Sequence, residues 1–333
     1  MLRNVMIGLS FALALSACET TEENPTPQEA GASDSHSDFD AGSDAVGEDS
    51  ADAATDTVSA DVENEAGLVV PEGYVLVSPA VFIMGSPEQE PGRADTETAH
   101  EVTLTRSFVM KKTEVTQGEW QSLMGYQPSY FEGCESCPVE NVNWWEALAY
   151  CNALSEKEGL APCYALEGCS EPGPDFLCDK VTTTGGGLLQ CEGYRLPTEA
   201  EWEFAARAGT TTPLPQGSIE KDPSSCEVDD VLSDYGWYCG NSSDEPHPVG
   251  EKSPNAWNLS DMAGNVMEWV WDCLVPYGPE KVNDPIVNEG SGMRVLRGGS
   301  WSQAIGQCRS SARAGLDPAE RDGDTGLRPV RSF

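Results

Sequence analysis

The hydrophobic and polar positions divide the chain into two unequal parts. An apolar run covers residues 5–17, follows the single basic residue Arg3, and closes on Leu-Ser-Ala-Cys at residues 15–18. Because this run is shorter than the about 20 apolar residues that span a bilayer, it predicts a cleavable signal segment over residues 1–17. Short apolar segments return only after residue 66, and they predict one globular domain over residues 67–333.

Capping residues predict three short helices in this domain. In a capping box, a Thr and a Glu three residues later each accept a hydrogen bond from the other's free backbone N–H, and a Gly can end the helix. Two segments have this spacing, and a third begins at an Asn suited to the N-cap. The predicted helices run from Thr116 to Gly125, from Asn143 to about Gly159, and from Thr198 to Gly209.

Strand signals are short and scattered. The connections over residues 162–193 and 210–259 are long and rich in Gly, Pro, Asp and Cys. Connections of that length inside a compact domain usually need disulfides or ions to hold them. The predicted strands cover residues 75–77, 81–84, 102–104, 108–110, 295–297 and 326–330.

Residues 18–66 are predicted to form a disordered acidic tether. Residues 19–66 contain fifteen Asp and Glu and neither Lys nor Arg, and Phe39 is their only aromatic residue. Such a stretch buries too little apolar surface to offset the entropy of ordering it, and charge repulsion keeps it extended. We interpret it as a spacer, and the alternative is an acidic tail that captures cations or a basic partner.

Cys18 is a predicted lipidation site. Cleavage before it would make it the N-terminus of the mature chain. A diacylglycerol thioether together with an amide-linked acyl chain supplies the two signals that stable anchoring requires. The sequence therefore predicts an exported lipoprotein that is attached through Cys18 to a membrane of the cell envelope.

The predicted domain is strongly acidic. Residues 67–333 carry 41 acidic and 18 basic side chains, a formal net charge of −23. Affinity for nucleic acid comes largely from cationic contacts to phosphate, so we do not expect a nucleic-acid partner. The three histidines, His36, His100 and His247, follow no ligand pattern, which argues against zinc and against a three-histidine iron site.

The cysteine content is typical of an exported protein. Twelve cysteines are present, and eleven remain without Cys18, so at least one should be unpaired if disulfides form. Cys134 and Cys137 have CxxC spacing, but Pro138 follows them instead of a helix that would lower a thiol pKa. This pair therefore predicts a local disulfide rather than a redox site.

A series of spaced blocks resembles the formylglycine-generating enzyme domain, also called the sulfatase-modifying factor domain, over roughly residues 72–333. The most specific block is YRLPTEAEWE at residues 194–203. The resemblance implies an α+β, C-type-lectin-like variant with short twisted sheets, a few short helices and little regular secondary structure. The other blocks are FIMGS (82–86), KTEVT (112–116), PVENVNW (138–144), DMAGNVMEW (261–269), RGGSW (297–301) and GLR (326–328).

The resemblance implies a structural calcium ion. The backbone carbonyls of Gly264 and Val266 and the carboxylate of Glu268 occupy the positions of the family's ligands, and oxygen donors on an irregular loop suit calcium. A second family site would include Asn241. The alternative is that Glu268 only caps a segment or forms a salt bridge.

The resemblance also shows where the family's chemistry is missing. Family enzymes oxidise a substrate cysteine to formylglycine with O₂ and a Cu(I) held by two thiolates, which follow the Gly-Gly-Ser-aromatic block. Here Gln303 stands where the first thiolate is expected, and Cys308 is the only cysteine after the block. An amide oxygen is a poor ligand for Cu(I). The copper chemistry is therefore not expected, and Cys308 would be catalytic only if the oxidase alternative holds.

The family pattern further bears on cysteine pairing. Cys151 matches a half-cystine whose partner would stand at Pro329, so Cys151 is the expected free thiol, buried on its helix. The other ten are disulfide candidates with open connectivity: Cys134, Cys137, Cys163, Cys169, Cys178, Cys191, Cys226, Cys239, Cys273 and Cys308.

These observations favour a non-catalytic, calcium-stabilised binding module that recognises a protein or a small ligand at the cell envelope. Function depends on sites rather than on folds, so the missing thiol outweighs the kinship of the fold. The runner-up is an active formylglycine-generating oxidase that acts on sulfatase-type targets and holds copper. A third reading is a structural part of a larger exported assembly.

Overall fold

The computed structural model describes residues 62–63, 69–173 and 176–333. The predicted signal segment, the predicted lipidation site Cys18 and nearly all of the predicted tether lie outside the described residues. In the described part, no helix is both long enough and apolar enough to cross a membrane. The α-helices there are α1 (Gln117–Met124), α2 (Trp144–Lys157), α3 (Glu199–Arg207) and α4 (Asp230–Tyr235).

Three of these helices begin where the capping residues predict. The Thr116 side chain accepts from the Glu119 backbone N–H, and the Glu119 carboxylate accepts from the Thr116 N–H, at 3.2 and 2.7 Å. The helices α2 and α3 have the same reciprocal arrangement. Gly125 ends α1 in the left-handed conformation as expected, whereas α3 ends at Ala208 (φ 45°), one residue before the predicted Gly209.

The strands are short. Those in the first half of the described chain are β1 (Val62–Glu63), β2 (Val69–Val70), β3 (Tyr74–Val77), β4 (Ala80–Met84), β5 (His100–Leu104), β6 (Phe108–Lys111), β7 (Tyr164–Glu167) and β8 (Lys180–Thr183). The later ones are β9 (Tyr194–Arg195), β10 (Met267–Cys273), β11 (Val282–Asn283), β12 (Arg294–Arg297), β13 (Ala314–Leu316), β14 (Thr325–Leu327) and β15 (Val330–Ser332). The predicted strand over residues 326–330 is thus two strands.

The described strands form five small sheets. The central one has the order β13-β12-β10-β14, in which β10 runs antiparallel to β12 and parallel to β14. Two others have the orders β3-β6-β15-β9 and β11-β5-β4, and the pairs β1-β2 and β7-β8 complete the set. Few helices and several short sheets make this an α+β protein with the predicted C-type-lectin-like architecture.

Disulfides hold the long connections. The connection over residues 162–193 carries the β7-β8 hairpin, and two bridges close it, whereas α4 lies in the connection over residues 210–259, which a third bridge closes. Cys134 and Cys137 form the predicted local bridge. The described bridges are Cys134–Cys137, Cys163–Cys191, Cys169–Cys178 and Cys226–Cys239.

Tryptophans fill the main core. Trp144 and Trp145 of α2 meet in an edge-on contact, and Trp144 packs against Trp271 of β10, with ring centroids 5.2 and 5.3 Å apart. A second cluster surrounds Trp202 of α3, and a smaller third cluster contains Cys308. The central sheet therefore lies between α2 and α3, and the Gly-Gly-Ser-Trp block follows its strand β12.

Candidate functional site

The Gly-Gly-Ser-Trp block makes a tight turn after β12. Gly298 and Gly299 both have positive φ, 97° and 71°. A Cβ at residue 299 would lie 2.8 Å from the Cys308 sulfur and 2.7 Å from the Gln307 carbonyl oxygen, closer than real Cβ contacts allow. Glycine is therefore required here because the block packs directly on the short 3₁₀ turn that carries Cys308, Ile305–Cys308.

A buried arginine fixes the start of the block. Arg297 is almost fully buried, and its guanidinium donates to the Glu203 carboxylate of α3 and to the carbonyl oxygens of Ser310 and Ser311. A charge-assisted contact of this kind is stronger than a neutral hydrogen bond. The turn is thus tied both to α3 and to the segment after Cys308.

The polar side chains of the turn form hydrogen bonds with Asp324 and Met267. The Ser300 and Ser302 hydroxyls both donate to one oxygen of Asp324, at 2.6 and 2.9 Å. Gln303 donates through its amide nitrogen to the Met267 sulfur at 3.3 Å. The side chain of Gln303, which stands where the resemblance places the first thiolate, therefore packs on Met267.

Cys308 is a free, buried thiol, which corrects its prediction as one of the ten disulfide candidates. Burial raises its pKa to about 12, so the sulfur is protonated at neutral pH. Among the described residues the other free thiol is Cys151, which lies in the tryptophan core with a pKa that burial also raises. The two thiols belong to different core clusters, so the described residues offer no pair of thiolates at the turn.

An aromatic face lies beside the turn and comprises Tyr130, Phe131 and Trp301. Tyr130 contacts Phe131 edge-on at 5.1 Å, Phe131 contacts Trp301 edge-on at 5.2 Å, and Tyr130 is 74% exposed. Buried Glu140 holds the loop in place by accepting from the backbone N–H groups of Tyr130 and Phe131, at 3.0 and 2.9 Å. Sequence reasoning missed Tyr130 and Phe131, and the only signal for them was two adjacent aromatics in a turn.

The side chains predicted to bind calcium form hydrogen bonds with other groups of the protein. The Glu268 carboxylate accepts from the Arg328 guanidinium at 2.7 Å and from the Trp202 indole N–H at 2.7 Å. The Asn241 amide accepts from the Tyr238 N–H and donates to the Gly236 carbonyl. Gly264 and Val266 lie in the turn before β10, as their block predicts.

One predicted calcium ligand, the Glu268 carboxylate, is thus already paired with a guanidinium. Calcium takes six to eight oxygen ligands, and a carboxylate bound by a guanidinium is already neutralised. Within residues 62–63, 69–173 and 176–333, no group of three or more His, Cys, Asp or Glu side chains is arranged to hold a metal ion. The calcium site built from the Glu268 carboxylate and the Gly264 and Val266 carbonyls therefore stays a prediction.

Comparison with known proteins decides the family. The sequence-family model of the sulfatase-modifying factor enzyme 1-like domain matches residues 58–333. The chain belongs to this family. The motif blocks that carry the resemblance in the sequence therefore reflect membership of the sulfatase-modifying factor domain family.

The proteins that are similar to this chain carry names that point to different functions. The chain is 34% identical over 241 residues to "Chaperone protein LppX" of Paenibacillus barcinonensis, covering 69% of this chain and 82% of that protein. It is 33% identical over 154 residues to the formylglycine-generating enzyme of Streptomyces coelicolor, covering 41% of this chain and only 46% of that enzyme. The solved structure of Treponema denticola variable protein 1 aligns with a TM-score of 0.66 and 32% identity, covering 78% of this chain and 95% of that one.

Proposed function

We propose that this sulfatase-modifying factor domain is a non-catalytic binding module of the cell envelope, anchored through lipidated Cys18, which holds a partner polypeptide on its aromatic face. The single observation that carries the proposal is the state of Cys308, a lone buried thiol whose pKa of about 12 keeps it protonated. A Cu(I) site of the family type needs two thiolates that are accessible to substrate.

The aromatic face supplies a means of binding. Tyr and Trp are enriched among the residues that dominate binding energy, because large rigid rings bury much area at little entropic cost. Tyr130 is mostly exposed, and Glu140 fixes its backbone. The strongly acidic domain favours a partner that carries basic as well as apolar side chains. The similarity to a protein named as a chaperone supports an unfolded or extended polypeptide as the partner.

The test measures binding and chemistry on the same preparation. Reduced insulin chains serve as the unfolded probe, and we expect the protein to slow their aggregation. Tyr130→Ser should weaken this effect at least fivefold in the protein concentration required. Val228→Ser is the matched control, because Val228 is also exposed (55%) but lies in the connection before α4.

The same preparation, loaded with Cu(I) under O₂, is then given a Cys-x-Pro-x-Arg peptide. We expect no formylglycine product by mass spectrometry. Turnover would establish the oxidase instead, and equal aggregation curves for the wild type and Tyr130→Ser would remove the aromatic face from the proposal.

A further inference from the structure

A cavity of about 180 Å³ opens on another part of the molecule, between the N-terminus of α3, the end of β10 and the connection over residues 275–287. Its walls are mainly apolar, and the His100 and Tyr277 rings pack together along it with centroids 5.0 Å apart. The apolar wall residues are Met84, Ala200, Val275, Val282, Pro285 and Val287.

Asp272 lies in the wall of this cavity with an incompletely balanced charge. It is 2% exposed, and its two oxygens accept from the backbone N–H groups of Glu199 and Val287 at 2.7 and 2.6 Å. In the described part of the chain, no Lys, Arg or His nitrogen forms an ion pair with it. A carboxylate oxygen has two acceptor positions, so each oxygen of Asp272 can accept once more.

The neighbouring charges differ from Asp272 in this respect. Glu199, which also lines the cavity, receives two hydrogen bonds of 2.6 Å from the Arg313 guanidinium. Arg294, the cation that acts on Asp272 from β12, instead lies 3.8 Å over the Trp144 ring and donates to the Trp271 carbonyl. Burial, and then repulsion from Glu199, raises the pKa of Asp272 to about 7. A cation in the cavity would favour its ionised form.

The remaining polar groups of the cavity mainly accept hydrogen bonds. The His100 Nδ1 lies 2.9 Å from the Thr98 carbonyl oxygen, which can only accept, so Nδ1 donates to it, and in the tautomer protonated on Nδ1 alone the Nε2 atom is an acceptor. The exposed carboxylate of Glu280 lies at the mouth. Apolar walls with a buried carboxylate and several acceptors match a ligand that has an apolar stem and a positively charged, hydrogen-bonding head.

We propose that this cavity binds a primary ammonium group on an apolar stem, supplied either by a free small amine or by a lysine side chain of a partner protein. The ammonium lies against Asp272, and the stem packs against the Val275, Val282 and Val287 walls. The volume suits a stem of about four to six carbon atoms. This site is separate from the aromatic face, so it does not depend on the proposed function.

The first experiment is calorimetric titration of the folded protein with n-pentylammonium at pH 8, with n-pentanol as the neutral control. We expect the amine to bind at least tenfold more tightly than the alcohol. Asp272→Asn should reduce the amine affinity at least tenfold, and Glu88→Gln, which removes one exposed charge elsewhere on this acidic surface, should change it less than twofold. Equal binding of amine and alcohol, or equal effects of the two variants, would overturn the proposal.

Two further measurements guard against a folding defect in Asp272→Asn. Ala200→Leu fills the cavity and leaves Asp272 in place, and it should abolish binding of the amine while the unfolding transition stays cooperative. In the wild type the affinity should rise by up to about tenfold from pH 6 to pH 8, because Asp272 ionises over that range. His100 and Glu280 also line this cavity, so Asp272→Asn must remove most of this rise, and a rise that persists would contradict the assignment.

The source of the ammonium is resolved with a short peptide. Acetyl-Gly-Lys-Gly-amide and the same peptide acetylated on its lysine nitrogen are titrated in parallel. If the ligand is a lysine side chain, the first peptide should bind at least as tightly as pentylammonium and the second should not bind. Binding of pentylammonium alone would assign the cavity to free amines.

Discussion

Two buried clusters each contain one arginine and more than one carboxylate, but the carboxylates are stabilised differently in the two. Around Arg309, every carboxylate finds donors. The guanidinium bonds Glu90 at 2.6 Å and Glu97 at 2.8 Å, and the Ser311 and Ser86 hydroxyls add bonds to these two acids at 2.8 and 2.7 Å. Burial alone would raise the pKa of Glu97, but the hydrogen bonds and charge of Arg309 lower it below its usual value.

Around Arg328 the donors are unevenly shared. Its guanidinium bonds the Glu268 carboxylate, whereas neither oxygen of Glu114 has a hydrogen-bond partner among the described residues, and neither does one oxygen of Asp261. Burial, and then repulsion from Asp261, raises the pKa of Glu114, and burial raises that of Asp261 to about 6. Both acids therefore bind a proton more readily than a solvated carboxyl group does.

The difference teaches that donors, rather than the balance of charges, decide whether a buried acid stays ionised. Arg309 has one positive charge for two acids, yet serine hydroxyls and a backbone N–H supply the missing bonds. Glu114 lies near an equally buried arginine without such donors, and Asp261 has only the backbone N–H of Gly250, at 2.7 Å, on one of its two oxygens. Desolvation of a carboxylate costs several kcal/mol unless hydrogen bonds replace water.

The largest effect is expected from breaking the satisfied cluster. Arg309→Met leaves Glu90 and Glu97 buried without a cation, which should lower the free energy of unfolding by about 3–5 kcal/mol at pH 7. Urea unfolding measures it. The triple variant Arg309→Met with Glu90→Gln and Glu97→Gln is the control, and it should recover more than half of the loss because it removes the stranded charges. A loss below about 1 kcal/mol in Arg309→Met would show that the cluster is exposed to water.

The contrast between the clusters also marks what sequence reasoning can reach. The three capping boxes join residues three apart, so their chemistry is visible in the chain itself. The Arg328–Glu268 and Arg309–Glu97 pairs join residues far apart in sequence. Their formation depends on how the sheets stack, which no local pattern contains.

Strand β10 shows a second limit. All seven residues of Met267–Cys273 are buried, so polar and apolar positions do not alternate and the usual period of two is absent. The family block that ends in Glu268 and Trp269 identified this segment as part of the resemblance, but it did not predict that the segment forms a central strand. Cys308 shows a third limit. The number of cysteines in a sequence does not reveal which of them stay unpaired, and Cys308 is one that does.

An intermediate effect is expected from the unsatisfied cluster, as a pH dependence. Asp261 has a folded-state pKa of about 6, above its unfolded value of ~3.9, so its contribution to stability is complete below pH ~4 and is lost as pH rises through 6. Glu114 acts in the same direction. The free energy of unfolding should therefore fall by about 1–3 kcal/mol between pH 5 and pH 8.

Glu114→Gln should flatten this slope. Its amide can donate to Asp261 while removing one charge, so the variant should be more stable than the wild type at pH 8 and similar to it at pH 5. Asp272 also titrates near neutral pH and contributes its own part of the slope, so Asp272→Asn is measured beside it. A Glu114→Gln profile parallel to that of the wild type would contradict the role of the Glu114–Asp261 pair.

The smallest effect is expected from calcium. Family resemblance predicts that a chelator lowers the melting temperature, whereas the bonds from Arg328 and Trp202 to Glu268 predict no change beyond about 1 °C, since a ligand stabilises only a fold that binds it. Melts with millimolar calcium and with EDTA decide between the two. The Glu268→Gln variant separates the two cases further. If the carboxylate only pairs with Arg328, the melting temperature of the variant is lowered by the same amount in calcium and in EDTA. If it binds calcium, the variant instead loses only the calcium-dependent part of the stability, and a wild-type melt several degrees lower in EDTA would show that the ion displaces the arginine.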